Sequence, residues 1–250
     1  MVSAVALAGL PPIGVGDDLA TLIAPALDDH GGLEPGDVLV VAHKAVSKAE
    51  GRTRRLSDVA SSARAIELAE AHAKDPRHVQ VVLDESRTLL RAAHGVLVCV
   101  THHGFVCANA GVDASNVAGD DTVVLLPLDP DASARALRAR LAAITGVAPG
   151  IVITDSFGRA WRRGQLDIAI GCAGVEPLED WRGRQDAFGR ELRATSIAIA
   201  DELAATADLA RTKDGMQPVV LVRGAGRHIG EHDGPGALAL LRSEVEDLFR

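Results

Sequence analysis

The sequence predicts a mixed α/β protein of the α+β kind, and three observations carry that expectation. Short β-branched runs recur along the chain, as buried strands require. Between them lie Ala/Leu-rich stretches whose apolar residues fall at helical spacing. The two do not alternate as regular βαβ units: between residues 78 and 128 strand follows strand, which points to hairpins and antiparallel pairing.

In chain order, MVSAVALAGLPPIG lacks a basic n-region and reads as a first strand rather than a signal peptide. Residues 17–28 form a helix, with Leu19, Leu22, Ile23, Ala26 and Leu27 on one face and Asp17 or Asp18 as cap. DVLVVA (37–42) is a strand. Ser57 caps a helix over 58–74, which Pro76 ends. HVQVVL (78–83), GVLVCVT (95–101) and DTVVLLPL (121–128) read as strands. A helix over 131–145 follows DPD and stops at Gly146, and the strand GIVIT spans 150–154. Residues 187–211 suggest a long helix with Leu192, Ile199 and Leu203 on one stripe. The strand QPVVLVRG (217–224), a Gly-rich segment over 224–236 and a helix over 236–249 complete the chain.

Composition narrows the function. The 250 residues suffice for one large domain or two small ones, and 47% hydrophobic content marks a folded globular chain. Aromatics are 2% with no Tyr, so aliphatic side chains fill the core and a base-stacking platform is not expected. A net charge of -8 argues against nucleic acid as partner but leaves room for a basic pocket that takes a small anion. Cys99, Cys107 and Cys172 form no CxxC pair, and no apolar run nears the ~20 residues of a membrane helix. The expectation is a reducing, cytoplasmic setting with no membrane partner.

Several motifs are informative by what they lack. VRGAGRHIG (222–230) is spaced GxGxxxG, and no GxxxxGK[ST] occurs, so neither a Rossmann nor a P-loop cradle is expected. Adjacent His102 and His103 on a strand point to opposite faces and do not make a zinc pair. Three other stretches admit two readings each. AHKAVSKAEGR (42–52) puts His43, Lys44 and Lys48 past a strand end, as a solvated turn or as a phosphate contact. CANAGVDASNV (107–117) is either a polar hairpin turn or a backbone close to a ligand, with oxygens suited to Mg²⁺ or Mn²⁺. ITDSFGRAWRRGQ (153–165) sets Asp155 and Ser156 at a strand end before Arg159, Arg162 and Arg163. Either Asp155 caps a turn, or it holds a metal beside arginines that clamp an anion.

Taken together, GDVLVVAHKAVSKAEGR, HGFVCANAGVDASNV, ITDSFGRAWRRGQLDIAIGCAGVEPLEDWRGRQDAFGRELRATSIAIADELAATADL and PVVLVRG resemble the coenzyme F420-0:L-glutamate ligases. The resemblance runs from LPPIG to LLR. It implies a family-specific mixed α/β fold and a single catalytic unit over 1–250, of one or two lobes, without the flavin-binding domain fused to some actinobacterial relatives. It also implies a homodimer. The activity it implies is GTP-dependent, GDP-forming addition of L-glutamate to F420-0 through an acyl phosphate, with γ-linked addition of further glutamates. Two divalent ions, Mn²⁺ or Mg²⁺, would assist, with K⁺ a further candidate.

Carried over by position, the resemblance makes Asp113 and Asp155 ligands of one metal and places Ser156 on the second. Lys48, Asp113 and Asp155 become the catalytic set. Leu10, Pro11, Pro12 and Ile13 would lie along the nucleotide, with His43, Lys44, Lys48 and Asn116. The late segment Leu209, Ala210, Arg211, Thr212, Lys213, Asp214, Gly215 and Met216 would contact it too. Arg159 and Arg162 are candidates for substrate binding. His43 stands where many relatives have Ser or Thr, and Thr212 where they often have Gly. Rival readings keep the same residues: a metal-dependent phosphohydrolase, an amino-acid ligase for another carboxylated phosphometabolite, or a nucleotide-binding regulator.

Overall fold

A computed structural model of the chain describes residues 1–114 and 121–247. In order the elements are β1 (Ser3–Ala6), α1 (Leu19–Asp28), β2 (Val38–Ala42), α2 (His43–Ala49), β3 (Thr53–Arg55), α3 (Ala63–His72) and α4 (Pro76–Asp84). Then come β4 (Ser86–Ala93), β5 (Val96–Thr101), β6 (Val106–Ala108), β7 (Thr122–Val124), α5 (Pro130–Thr145), β8 (Gly150–Arg159) and β9 (Arg162–Ala173). The last are β10 (Glu179–Asp180), β11 (Ser196–Ile197), α6 (Ile199–Ala210) and β12 (Val219–Arg223). The fold is mixed α/β, with helices packed on sheets that combine parallel and antiparallel pairs.

The central sheet runs β1-β12-β2-β8-β9. Only β2 and β8 are parallel; its other pairings are antiparallel. Both faces are covered, so the strands are almost continuously apolar. Leu39, Val41, Ile151 and Ile153 pack with Ile23, Leu27 and Leu141 of α1 and α5 on one face. Val38, Val40, Val152 and Val220 pack with Ala200, Leu203, Ala204 and Ala207 of α6 on the other. A separate cluster joins α3, α4 and the β4-β5-β6 sheet through Leu68, Val79, Val82, Leu97 and Cys99.

Several expected elements hold. Asp18 caps α1 by accepting from the Ala20 N–H, and Gly146 closes α5 in a left-handed conformation. The antiparallel meander expected after residue 78 exists as β4-β5-β6.

Others are corrected. Residues 78–83 lie inside α4, not in a strand. Asp75 accepts from the Arg77 N–H and Pro76 occupies the first turn, the usual opening of a helix. Val79 and Val82, three apart, then face the core, and this spacing overrides their β preference. The helix expected over 58–74 begins at Ala63 under a Ser62 cap and ends at Ala73 (φ 51°), so Pro76 starts the next helix instead of stopping this one. The 187–211 helix shrinks to α6, because Gly189 takes φ 78° and residues 196–197 pair with β10. The closing helix is replaced by short 3₁₀ turns at Ala237–Leu240 and Glu244–Glu246. GIVIT does not end at 154: it continues to Arg159 and pairs along its length with β9.

Candidate active site at the end of the central sheet

Strand register gathers the site. The parallel pair matches Ala42 to Thr154, so the residues that follow, His43 at the start of α2 and Asp155 on β8, are neighbours. β12 enters beside them: Val219 pairs with Val41, and the Ala42 N–H donates to the Pro218 carbonyl. β1 leaves at the same end, where the Leu7 N–H donates to the Val219 carbonyl. Residues 10–13, the start of α2, the middle of β8 and the 211–218 loop therefore meet at one edge. They line a cleft of about 990 Å³.

Side-chain alternation divides that edge between the two faces of the sheet. Asp155 continues the row Ile151, Ile153 and so lies on the α1/α5 face, beside His43, which continues Leu39 and Val41. His43 is 2% exposed. Its Nδ1 lies 3.3 Å from Ser47 Oγ. Its Nε2 lies 3.3 Å from Asp155 Oδ1 but has no aligned hydrogen bond. The Ser156 N–H donates to Asp155 Oδ1 at 2.8 Å.

Thr154 and Ser156 lie on the opposite, α6 face, with Asp167 directly across from Ser156 on β9. A β-bulge sits beside them: Ile153 pairs with Gly171 but Thr154 with Ala169, leaving Ile170 extra. Bulges re-aim side chains near functional sites. The Ala169 N–H beside this bulge donates to Asp201 on α6 at 2.9 Å. Asp167 is 1% exposed. It accepts from Ser156 Oγ at 2.6 Å and Thr154 Oγ1 at 3.0 Å, and it pairs with Arg211. Burial alone would raise its carboxyl, but the Ser156 bond and the Arg211 and Lys213 charges hold it below the ordinary carboxylate range.

Asp113 reaches the cleft from the segment between β6 and β7. Asn109, Ala110 and Gly111 take φ values of 51°, 53° and 71° in succession, a tight left-handed turn. A Cβ on Gly111 would lie 2.7 Å from Leu126 Cγ, so only glycine fits there. After the turn, Asp113 is pinned to Val124 by two backbone hydrogen bonds, and its Oδ2 pairs with Lys44 at 2.6 Å. Lys48 sits one turn beyond Lys44 on α2, and both line the cleft. Burial, then the Lys44 charge, lowers the Lys48 pKa.

The family model for F420-0:Gamma-glutamyl ligase matches residues 9–224. The chain is 42% identical over 251 residues to the Coenzyme F420:L-glutamate ligase of Methanothermobacter thermautotrophicus, covering 100% of this chain and 99% of that one. It is 45% identical over 237 residues to that of Methanopyrus kandleri, covering 94% and 92%. The Archaeoglobus fulgidus ligase of the same name is 46% identical over 245 residues, covering 97% and 94%. This chain belongs to the F420-0:gamma-glutamyl ligase family.

For this family member, the cleft unites most of the residues singled out from sequence. Leu10, Pro11, Pro12, Ile13, His43, Lys44, Lys48, Asp113, Asp155, Ser156, Arg211, Thr212, Lys213 and Met216 all line it. Leu209 points outward, 91% exposed, and Ala210 packs on the α6 side of the core. Asp214 and Gly215 lie in the same loop but outside the lining. Arg159 and Arg162 sit at the exposed tip of the β8–β9 hairpin, where Arg159 donates to the Arg163 carbonyl. Asn116 lies outside the described residues.

Sequence reasoning missed Asp167, Thr154, Gln165 and Thr53, which also line the cleft. The signal for Asp167 was present: an acid one residue inside the apolar run LDIAIG belongs to a strand that buries it.

The oxygen donors fit a hard divalent cation. Asp113, Asp155 and Ser156 supply carboxylate and hydroxyl oxygens, and each carries a basic side chain against it, namely Lys44, His43 and Lys213. Among the described residues no group of three or more His, Cys, Asp or Glu is gathered into a cage.

Proposed function

We propose that this chain adds L-glutamate to coenzyme F420-0, using GTP and forming GDP, through an acyl phosphate. The observation that carries the reading is the family match over residues 9–224. The cleft supports it, because two separate carboxylates and three lysines converge where a phosphate chain would lie.

The reaction balances in two steps. A carboxylate oxygen of F420-0 attacks the γ-phosphorus of GTP, the bond to the β-phosphate oxygen breaks, and GDP leaves. The glutamate amine then attacks the acyl carbonyl, inorganic phosphate departs, and an amide forms; later glutamates join through the γ-carboxyl. Lys44 and Lys48 hold phosphate oxygens as point charges. Residues 10–13 form the apolar wall against which the nucleotide packs. Asp113, Asp155 and Ser156 would hold Mn²⁺ or Mg²⁺, which supplies charge neutralisation at the transferred phosphoryl group. K⁺ is a further candidate for that role. Arg159 and Arg162 are proposed to contact the acceptor. The proposal includes a homodimer in the cytoplasm.

The test labels the F420-0 carboxylate with ¹⁸O and follows GDP and phosphate. The reading predicts one ¹⁸O in inorganic phosphate and GDP release that requires the acceptor. GDP released equally without acceptor or glutamate, with unlabelled phosphate, would instead identify a phosphohydrolase.

A further inference from the structure

Among the described residues three aspartates are almost wholly buried, and two of them have partners away from the cleft. Asp37 accepts from the Glu34 N–H and from Arg223. Asp131 accepts from the Cys172 and Ala237 N–H groups. Asp167 differs, because all four of its partners line the cleft. Two, Thr154 and Ser156, come from β8. Two, Arg211 and Lys213, come from the loop that leads into β12.

The bonding is directional. Ser156 Oγ spends its only proton on Asp167 Oδ1, which leaves the oxygen lone pairs for the cleft side. One of them accepts from Lys213 Nζ at 2.8 Å. Arg211 is 9% exposed and donates to Thr154 Oγ1 at 3.1 Å and to the Pro218 carbonyl at 3.4 Å as well as pairing with Asp167. One guanidinium therefore ties the beginning of the loop to its end and both to the strand. An architectural carboxylate would need only the arginine; the bond to Ser156 adds an orientation.

We propose that Asp167 is a positioning residue for the cation and phosphate end of the cleft. It fixes the Ser156 hydroxyl as an acceptor and, through Arg211, locks the 211–218 loop in register with it. The floor and the loop then meet incoming phosphate as one preset unit. This deepens the ligase reading and rests on it for the cation and the phosphate donor.

The experiment compares wild type with Asp167→Asn, Arg211→Lys, Ser156→Ala and the Asp167→Asn/Ser156→Ala double variant. Mn²⁺ affinity is read by electron paramagnetic resonance in the presence of a non-hydrolysable GTP analogue, and folding by circular dichroism. Asp167→Asn should weaken Mn²⁺ binding about 10- to 100-fold, as loss of a ligand-orienting partner does. Arg211→Lys should shift it in the same direction by less. The double variant should lose less than the sum of the two single losses, because Asp167 acts partly through Ser156. Folded Asp167→Asn protein with wild-type Mn²⁺ affinity overturns the proposal, even if its thermal midpoint falls. So does full additivity in the double variant, or a wild type that binds no Mn²⁺. Should Asp167→Asn not fold, Arg211→Lys with unchanged Mn²⁺ affinity overturns it alone. Absence of glutamate addition by wild type would sink the ligase reading and leave this measurement intact.

Discussion

Lys48 carries a stability cost that its proposed phosphate contact would offset. Burial and Lys44 lower its pKa, so at neutral pH its charge costs folding energy. That cost is full below the folded pKa and fades as pH climbs toward the unfolded value near ~10.4. Lys48→Met should therefore raise the thermal midpoint at pH 7 and gain little at pH 11, as scanning calorimetry would read. The same variant should lose about 10- to 100-fold in GTP affinity, the value of one charge-assisted phosphate contact. An unchanged GTP affinity by titration calorimetry would remove Lys48 from the site. Asp155 lies beside a buried His43 that gives it no aligned hydrogen bond. Asp155→Asn should cut turnover about 100-fold or more and raise the Mn²⁺ concentration needed for half-activation. Unaltered turnover and Mn²⁺ dependence would mean that Asp155 does not hold the cation.

Elements place these residues, and here the sequence was read unevenly. The ends of β2 and β12 were legible because buried β-branched runs stop abruptly at polar residues. Asp155 and Ser156 were legible for the same reason, although their strand in fact runs on. β9 is not legible: its first half, RRGQLD, is polar and largely exposed, so the alternation and burial that mark a strand are missing where the hairpin begins. The acid inside LDIAIG marks Asp167 as buried, but its partner Ser156 comes from a cross-strand pairing that no local pattern encodes. In α4, the capping pair Asp75-Pro76 carried more information than the valines after it. The turn at 109–111 is a mechanical device that aims Asp113. Gly111→Ala puts a Cβ 2.7–2.9 Å from three Leu126 carbons at a positive φ. It should cost about 1–3 kcal/mol by denaturant titration. Activity should fall with it, as Asp113 shifts from Lys44. A stability loss below ~0.5 kcal/mol would show that the turn tolerates a side chain.

At the scale of the whole molecule, a chain of net charge -8 keeps a cluster of cationic groups in one cleft, as the proposed triphosphate site requires. No described helix is long and apolar enough to cross a membrane. The proposed homodimer belongs to this scale too: light scattering should give twice the 26.0 kDa chain mass, and a single-chain mass would contradict it. Family membership makes one chemical outcome central. The measurement that tests it most directly is mass spectrometry of F420-0 incubated with the protein, L-glutamate, GTP and Mn²⁺, beside mixtures lacking one component. The account predicts a product heavier by one or more glutamyl units, formed only in the complete mixture and matched by GDP. An acceptor of unchanged mass while GTP is consumed would contradict it.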